Sequence, residues 1–169
     1  MKLVLLFSFL LVIKTAFSQR IDQALSLSYS ESIFNADTCC WRKLSATGYD
    51  EEAAQLILTY YQQNKKKANK QALYWHTGQC FAMAGQNALA KKYMRKTYSS
   101  FYQWFGGEDD RTWYYYGNGT VAFIDRDKKT LSAMIDKWEK RYLQNLNYQA
   151  LRELQKHWEL PYKEINKKI

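Results

Sequence analysis

The sequence predicts an all-α protein built from antiparallel helical hairpins stacked as a short array. Three observations carry this. Leu73, Thr77, Cys80, Phe81 and Ala84 recur at helical spacing, and so do Leu89, Ala90, Tyr93, Met94 and Thr97. Between the two runs sits Ala84-Gly85-Gln86-Asn87, a helix stop followed by a helix start. Proline occurs once, at Pro161, and glycine only seven times, which disfavours strands joined by tight turns.

The chain opens with basic Met1-Lys2 and an apolar run from Leu3 to Ile13, too short to span a bilayer. Small residues at Ala16 and Ser18 follow. Residues 1–18 are read as a secretory signal peptide cut before Gln19, not as a membrane anchor. No cysteine stands at the cut, which disfavours a lipoprotein. The mature chain is then expected to be exported, periplasmic or extracellular, with no membrane-spanning segment. Loss of Lys2 and Lys14 lowers the formal charge from +9 to +7, since no acidic residue leaves with them. The positive charge is scattered over Lys65-Lys66-Lys67, Lys91-Lys92, Lys128-Lys129 and Lys167-Lys168 and reads as solvated surface. Export argues against a nucleic-acid partner.

Residues 19–48 form a serine-rich N-terminal segment in which Leu25, Tyr29, Ile33 and Phe34 mark one face of a first helix, ended by Thr47-Gly48. Residues 49–169 form the main helical domain. Asp50 is its first N-cap, with Glu51 and Glu52 in the first turn. Ala53, Leu56, Ile57, Tyr60 and Tyr61 make that helix's inner stripe. Asn64 to Lys70 is a basic connector to the central hairpin. An aromatic link, Tyr98 to Trp104, leads into the loop Gly106-Gly107-Glu108-Asp109-Asp110, with Asp110 capping a helix from near Thr112. That helix carries Trp113, Tyr116, Gly117, Thr120, Val121 and Ile124 on one side. Asp127 caps the next, faced by Leu131, Met134, Ile135 and Trp138. Asn147 begins the last long helix, which Pro161 stops, and Tyr162 to Ile165 makes one more turn.

Residues 78–97 have an echo forty-one residues on: Gly78 meets Gly119, Phe81 meets Ala122, Ala90 meets Leu131, Met94 meets Ile135 and Thr97 meets Trp138. Hairpins of this kind need neighbours to bury their faces. Tyr74, Gly78, Phe81, Gly85, Ala90 and Met94 resemble the tetratricopeptide repeat. The likeness covers residues 71–99, with a degenerate second unit at residues 112–140. Thr97 departs from that family's alanine, the closing proline is absent at residues 100–102, and Arg126 stands in place of the second turn glycine. The resemblance implies a scaffold that binds a partner through a groove lined by the first helix of each pair. A terminal hairpin with an uncovered face would also favour a homodimer.

The three cysteines after the leader are Cys39, Cys40 and Cys80. Export permits a disulfide. Neighbouring cysteines rarely pair, so the expected bridge joins Cys39 or Cys40 to Cys80, worth about 3–5 kcal/mol in the chain-entropy picture. The alternative is that all three are small buried apolar residues.

His76 and Cys80, four residues apart, share a helix face, a spacing able to supply two zinc ligands. The further ligands are missing, since His157 is the only other histidine, so no metal or cofactor is expected. Glu108, Asp109 and Asp110, with Asp125 and Asp127, form the main acidic cluster. Facing carboxylates serve glycoside hydrolysis, but three in a Gly-Gly loop read as a solvated loop and helix start. The alternating oxygen ligands of a calcium loop are absent. No nucleophile elbow or phosphate loop occurs. Asn118-Gly119-Thr120 matches the glycosylation sequon, but inside a helix. The aromatic region from Tyr98 to Tyr116 is core, or else a surface for a ligand or partner, with Trp104, Trp113, Tyr114 and Tyr115 as its candidate residues.

The expected function is therefore non-enzymatic protein or peptide binding by an exported helical-repeat protein. A glycan-binding module using the Tyr98–Tyr116 region is the alternative, and a small hydrolase using the acidic loop is a second.

Overall fold

A computed structural model describes residues 24–139 and 144–166. The expected leader and its cut before Gln19 lie outside the described residues. The described chain is all-helical. Its helices are α1 (Glu31–Phe34), α2 (Cys40–Ala46), α3 (Asp50–Asn64), α4 (Lys70–Met83), α5 (Asn87–Met94), α6 (Phe101–Phe105), α7 (Glu108–Ile124), α8 (Lys128–Glu139), α9 (Leu146–Lys156) and α10 (Tyr162–Asn166). A single 3-10 turn, Arg95–Thr97, extends α5. None is long and apolar enough to cross a membrane.

Three hairpins, α2/α3, α4/α5 and α7/α8, turn in one way. Gly48 and Gly85 have φ of +87° and +77°, and Arg126 has φ of +59°. At each turn the next residue's N–H reaches back five residues: Tyr49 to Leu44 O at 2.9 Å, Gln86 to Phe81 O at 2.8 Å and Asp127 to Ala122 O at 2.8 Å. A second bond runs from the left-handed residue to the carbonyl three back, Gly85 to Ala82 at 3.1 Å and Arg126 to Phe123 at 3.1 Å. This is the Schellman helix end, which consumes orphan carbonyls and needs a left-handed residue. The echo between Gly85 and Arg126 is thus the same turn. The first turn, at Gly48, is a third member. Gly85→Ala is expected to cost about 1 kcal/mol, because only glycine holds this φ without a Cβ penalty. A urea-midpoint shift below a third of that would show that the turn yields.

Hairpin packing follows from small residues at the crossings. A Cβ on Gly78 would lie 2.5 Å from Met94 Cγ and 3.0 Å from the Ala90 carbonyl, so α4 and α5 touch backbone to backbone there. Gly119 admits Leu151 of α9 and Met134 of α8 in the same manner. α3 packs on α4, α5 on α7, and α9 on both α7 and α8. The core runs through all three pairs, from Phe34, Ile57 and Leu73 to Phe81, Met94, Phe123, Leu131, Ile135 and Trp138. The chain end is tied in by Arg126, whose guanidinium donates to the carbonyls of Trp158 and Leu160. Tyr162 and Ile165 are buried, and α10 packs on α4.

Several sequence expectations need correction. The described part of the N-terminal segment is broken into short helical pieces, with residues 24–26 helical besides α1 and α2, and Leu25, Tyr29 and Ile33 are exposed while Phe34 is fully buried, stacked on Tyr60 at 3.8 Å. A four-residue helix is too short to present a long stripe. Tyr49, not Asp50, is the cap of α3. Asp50 is buried and accepts from Ser45 Oγ at 2.6 Å. α7 begins at Glu108, and Asp110 Oδ2 accepts from Gly107 N–H within its first turn at 3.2 Å. α9 begins at Leu146, one residue before Asn147, and Asn145 caps it by accepting from Asn147 N–H at 2.9 Å. Asp127 does cap α8, accepting from Thr130 N–H at 3.0 Å.

Candidate functional site

The aromatic region divides into a buried part and an exposed part. Trp113 of α7 is half-buried, 5.0 Å from Trp75 and 5.7 Å from Tyr116, and its Nε1–H donates to Thr97 O at 2.8 Å. Tyr114 lies 5.8 Å from Tyr98, and Tyr115 lies 6.3 Å from Trp138. These side chains weld α7 to α4 and α8. Trp104 lies on α6 and is 73% exposed. Of the four candidate residues, Trp104 is exposed while Trp113, Tyr114 and Tyr115 are half-buried, and Lys137 bridges the two groups, with its Nζ bonded to Gln103 of α6 and 6.0 Å from the Tyr115 ring.

The most exposed aromatics of the region lie on α6. Phe101, Trp104 and Phe105 are 60%, 73% and 75% exposed, Tyr102 joins them, and the helix buries none of its side chains. Phe101 and Phe105 stack on each other at 4.8 Å, one helical turn apart. The helix is locally well held. Phe101 N–H donates to Ser99 Oγ at 3.3 Å, Arg111 donates to Gly106 O at 2.8 Å, and Lys137 Nζ donates to Gln103 Oε1 at 2.8 Å. Gly106 is needed at its end, where a Cβ would meet Tyr102 O at 2.7 Å. Phe101 and Phe105 lay within or beside the predicted link; the signal was their i, i+4 spacing.

The second chemical cluster surrounds Cys80. The expected bridge from Cys39 or Cys40 to Cys80 is not formed: Cys39 pairs with Cys40, and Cys80 is a buried free thiol. Cys39 and Cys40 sit at the N-terminal end of α2 and are joined to each other, while Cys80 is buried in α4. Burial first, and then the Asp50 carboxylate, push the thiol up to about 12. His76 packs on Trp41 at 4.9 Å, and its Nδ1 is 2.9 Å from Gln79 Oε1. Burial lowers its pKa, the Gln79 hydrogen bond opposes this, and the Arg42 charge adds to it. A protonated thiol beside a neutral imidazole lacks the thiolate that nucleophilic and metal-binding cysteines require.

Tyr98 and Tyr162 are likewise raised, each to about 12 and each chiefly by burial. An ordinary thiol ionises at 9.0 and an ordinary tyrosine at 10.0. Above those values the unfolded chain loses protons that the folded chain keeps. The folded state then binds more protons, so stability falls as pH rises from about 9 towards 12 and is untouched below. Urea midpoints should drop between about pH 8 and about pH 11, with a shallower drop in Cys80→Ala. Equal slopes would remove Cys80 from the account.

The acidic residues have structural partners. Asp125 takes Lys91 and Arg95, the latter at 2.7 Å, across the hairpin gap. Asp110 and Asp127 serve helix starts, and Glu108 and Asp109 are exposed. Among the described residues no three His, Cys, Asp or Glu side chains stand close enough to hold a metal ion. Thr120 of the sequon is fully buried. No protein-family model, curated protein or solved structure matches this chain.

Proposed function

We propose that this is an exported helical-repeat protein of the tetratricopeptide type that binds a protein or peptide partner through α6. The observation that carries the reading is the exposure of Phe101, Trp104 and Phe105 on a helix held in place at both ends. Covering such a side chain is worth on the order of 2 kcal/mol each, and clustered aromatics are the usual anchors of partner recognition. The shared turn at Gly85 and Arg126 and the Gly78–Met94 crossing support the repeat type. A protonated Cys80, with Asp110 and Asp127 at helix starts and Asp125 in ion pairs, supports a binder over an enzyme. Export rests on residues 1–18, and a secreted product starting at Gln19, seen by intact mass, is the expected outcome.

The test compares capture from a cell-envelope extract by the native chain and by Phe101→Ser/Trp104→Ser/Phe105→Ser. A protein retained by the first and lost from the second is expected. Trp104 is by far the most exposed tryptophan among those described, so the same partner should blue-shift its fluorescence and shield it from acrylamide. Identical capture by both chains would refute the α6 reading.

A further inference from the structure

A different surface, where α3, α4 and α5 meet, carries a row of half-buried tyrosines. Tyr61 and Tyr74 meet edge to face with centroids 5.1 Å apart, and Tyr74 meets Tyr93 in the same way at 5.6 Å. Three lysines stand over these rings. Lys70 Nζ lies 5.6 Å and Lys96 Nζ 5.3 Å from the Tyr74 centroid; Lys96 is also 5.1 Å, and Lys92 5.8 Å, from that of Tyr93. Lys96 is thus shared between two rings, with another ammonium on either side.

None of these three lysines forms an ion pair with a described residue, whereas Lys91 and Arg95 on the same helical stretch are both engaged by Asp125. Lys65-Lys66-Lys67, exposed at the end of α3, extends the positive surface. Glu31 reaches only its edge, where it accepts from Asn69 N–H at 2.8 Å. Cation–π contact tempers the repulsion among these ammoniums but leaves the net charge, which attracts anions.

The ring arrangement narrows the anion. Stacking a nucleobase needs a free aromatic face, and here the rings meet edge to face with ammoniums over Tyr74 and Tyr93. What remains on offer is positive charge beside three half-buried tyrosines, each carrying a hydroxyl. We propose that this surface binds an acidic polysaccharide of the uronate type, with carboxylates on Lys70, Lys92 and Lys96 and sugar hydroxyls on the tyrosines. The proposal is independent of α6 and of its partner.

The test is fluorescence anisotropy of a labelled oligogalacturonate against the full chain. Lys70→Gln/Lys92→Gln/Lys96→Gln is expected to weaken binding by about tenfold or more. Lys128→Gln/Lys129→Gln/Lys163→Gln removes the same charge from exposed sites elsewhere and is expected to stay within about twofold. Tyr74→Phe/Tyr93→Phe keeps the charge and removes two hydroxyls, and a several-fold loss is expected. Polyglutamate and single-stranded DNA should compete at least about tenfold less well than unlabelled oligogalacturonate. Equal losses in the two lysine variants, equal competition by either other polymer, or no binding by the native chain would each overturn the proposal.

Discussion

Gly78→Val is expected to cost about 3 kcal/mol or more, at the upper end of what overpacking produces. A single Cβ at this position already lies 2.5 Å from Met94 Cγ and 3.0 Å from the Ala90 carbonyl oxygen. The methionine side chain can swing away. The carbonyl belongs to α5's backbone and moves only if the two helices separate. Valine adds two methyl groups in that gap, and its better helix propensity returns only about half a kcal/mol. Gly78→Ala should fall between, near 1–2 kcal/mol, because the methionine yields while the carbonyl does not. The comparison is made by urea unfolding followed by tryptophan fluorescence. A Gly78→Val protein as stable as the parent would mean that α4 and α5 do not cross at Gly78.

Trp138→Ala is expected to lose about 3–5 kcal/mol, the range for emptying a large aromatic site in a core. Trp138 is fully buried between Tyr115 and Tyr148, with ring centroids 6.3 and 6.1 Å away. It joins α7, α8 and α9, so its removal opens the end of the array and not one helix alone. The indole has a weakness that sharpens the test. Its Nε1–H is buried and finds no acceptor among the described residues. An unmet buried donor costs about 1–3 kcal/mol. Trp138→Phe deletes that donor and keeps one ring, so its loss should be much smaller, below about 1.5 kcal/mol. If phenylalanine proved as damaging as alanine, an acceptor for the indole must exist, and the site would be a polar anchor.

The parts of the fold legible in the sequence are those whose causes lie within a few residues. Gly85 followed by Gln86-Asn87 marks a left-handed helix end, and Asp127 followed by Thr130 marks a capped start; both form as read. Gly78 and Gly119 were legible as crossing points because a close approach demands a missing side chain. The turn at Gly48 obeys the same local rule, but it falls outside the forty-one-residue spacing, so its kinship with Gly85 showed only in the hydrogen bonds.

The candidate site was legible only in part, and the aromatics show why. Trp104 and Trp113 have the same chemistry and stand nine residues apart in one aromatic-rich stretch. Trp113 is half-buried because Trp75 arrives from another hairpin, and Trp104 is exposed because nothing described covers α6. The cysteines teach the same lesson. Their number and the expected export allowed a bridge to Cys80, but Cys39 pairs with its neighbour Cys40 and Cys80 stays a buried thiol. The lysines over Tyr74 and Tyr93 come from two helices and a 3-10 turn, and their scatter in sequence hid their convergence.

By itself, then, the sequence determined that this chain is helical, where its hairpins turn and which glycines let helices touch. Those outcomes depend on backbone strain and capping, which act over one or two helical turns. Only the tertiary structure decided which aromatics are core and which form a surface, which cysteines meet, and where uncompensated positive charge collects. Each of those depends on which distant residue arrives to exclude water, close a bond or neutralise a charge, and no local preference encodes that arrival.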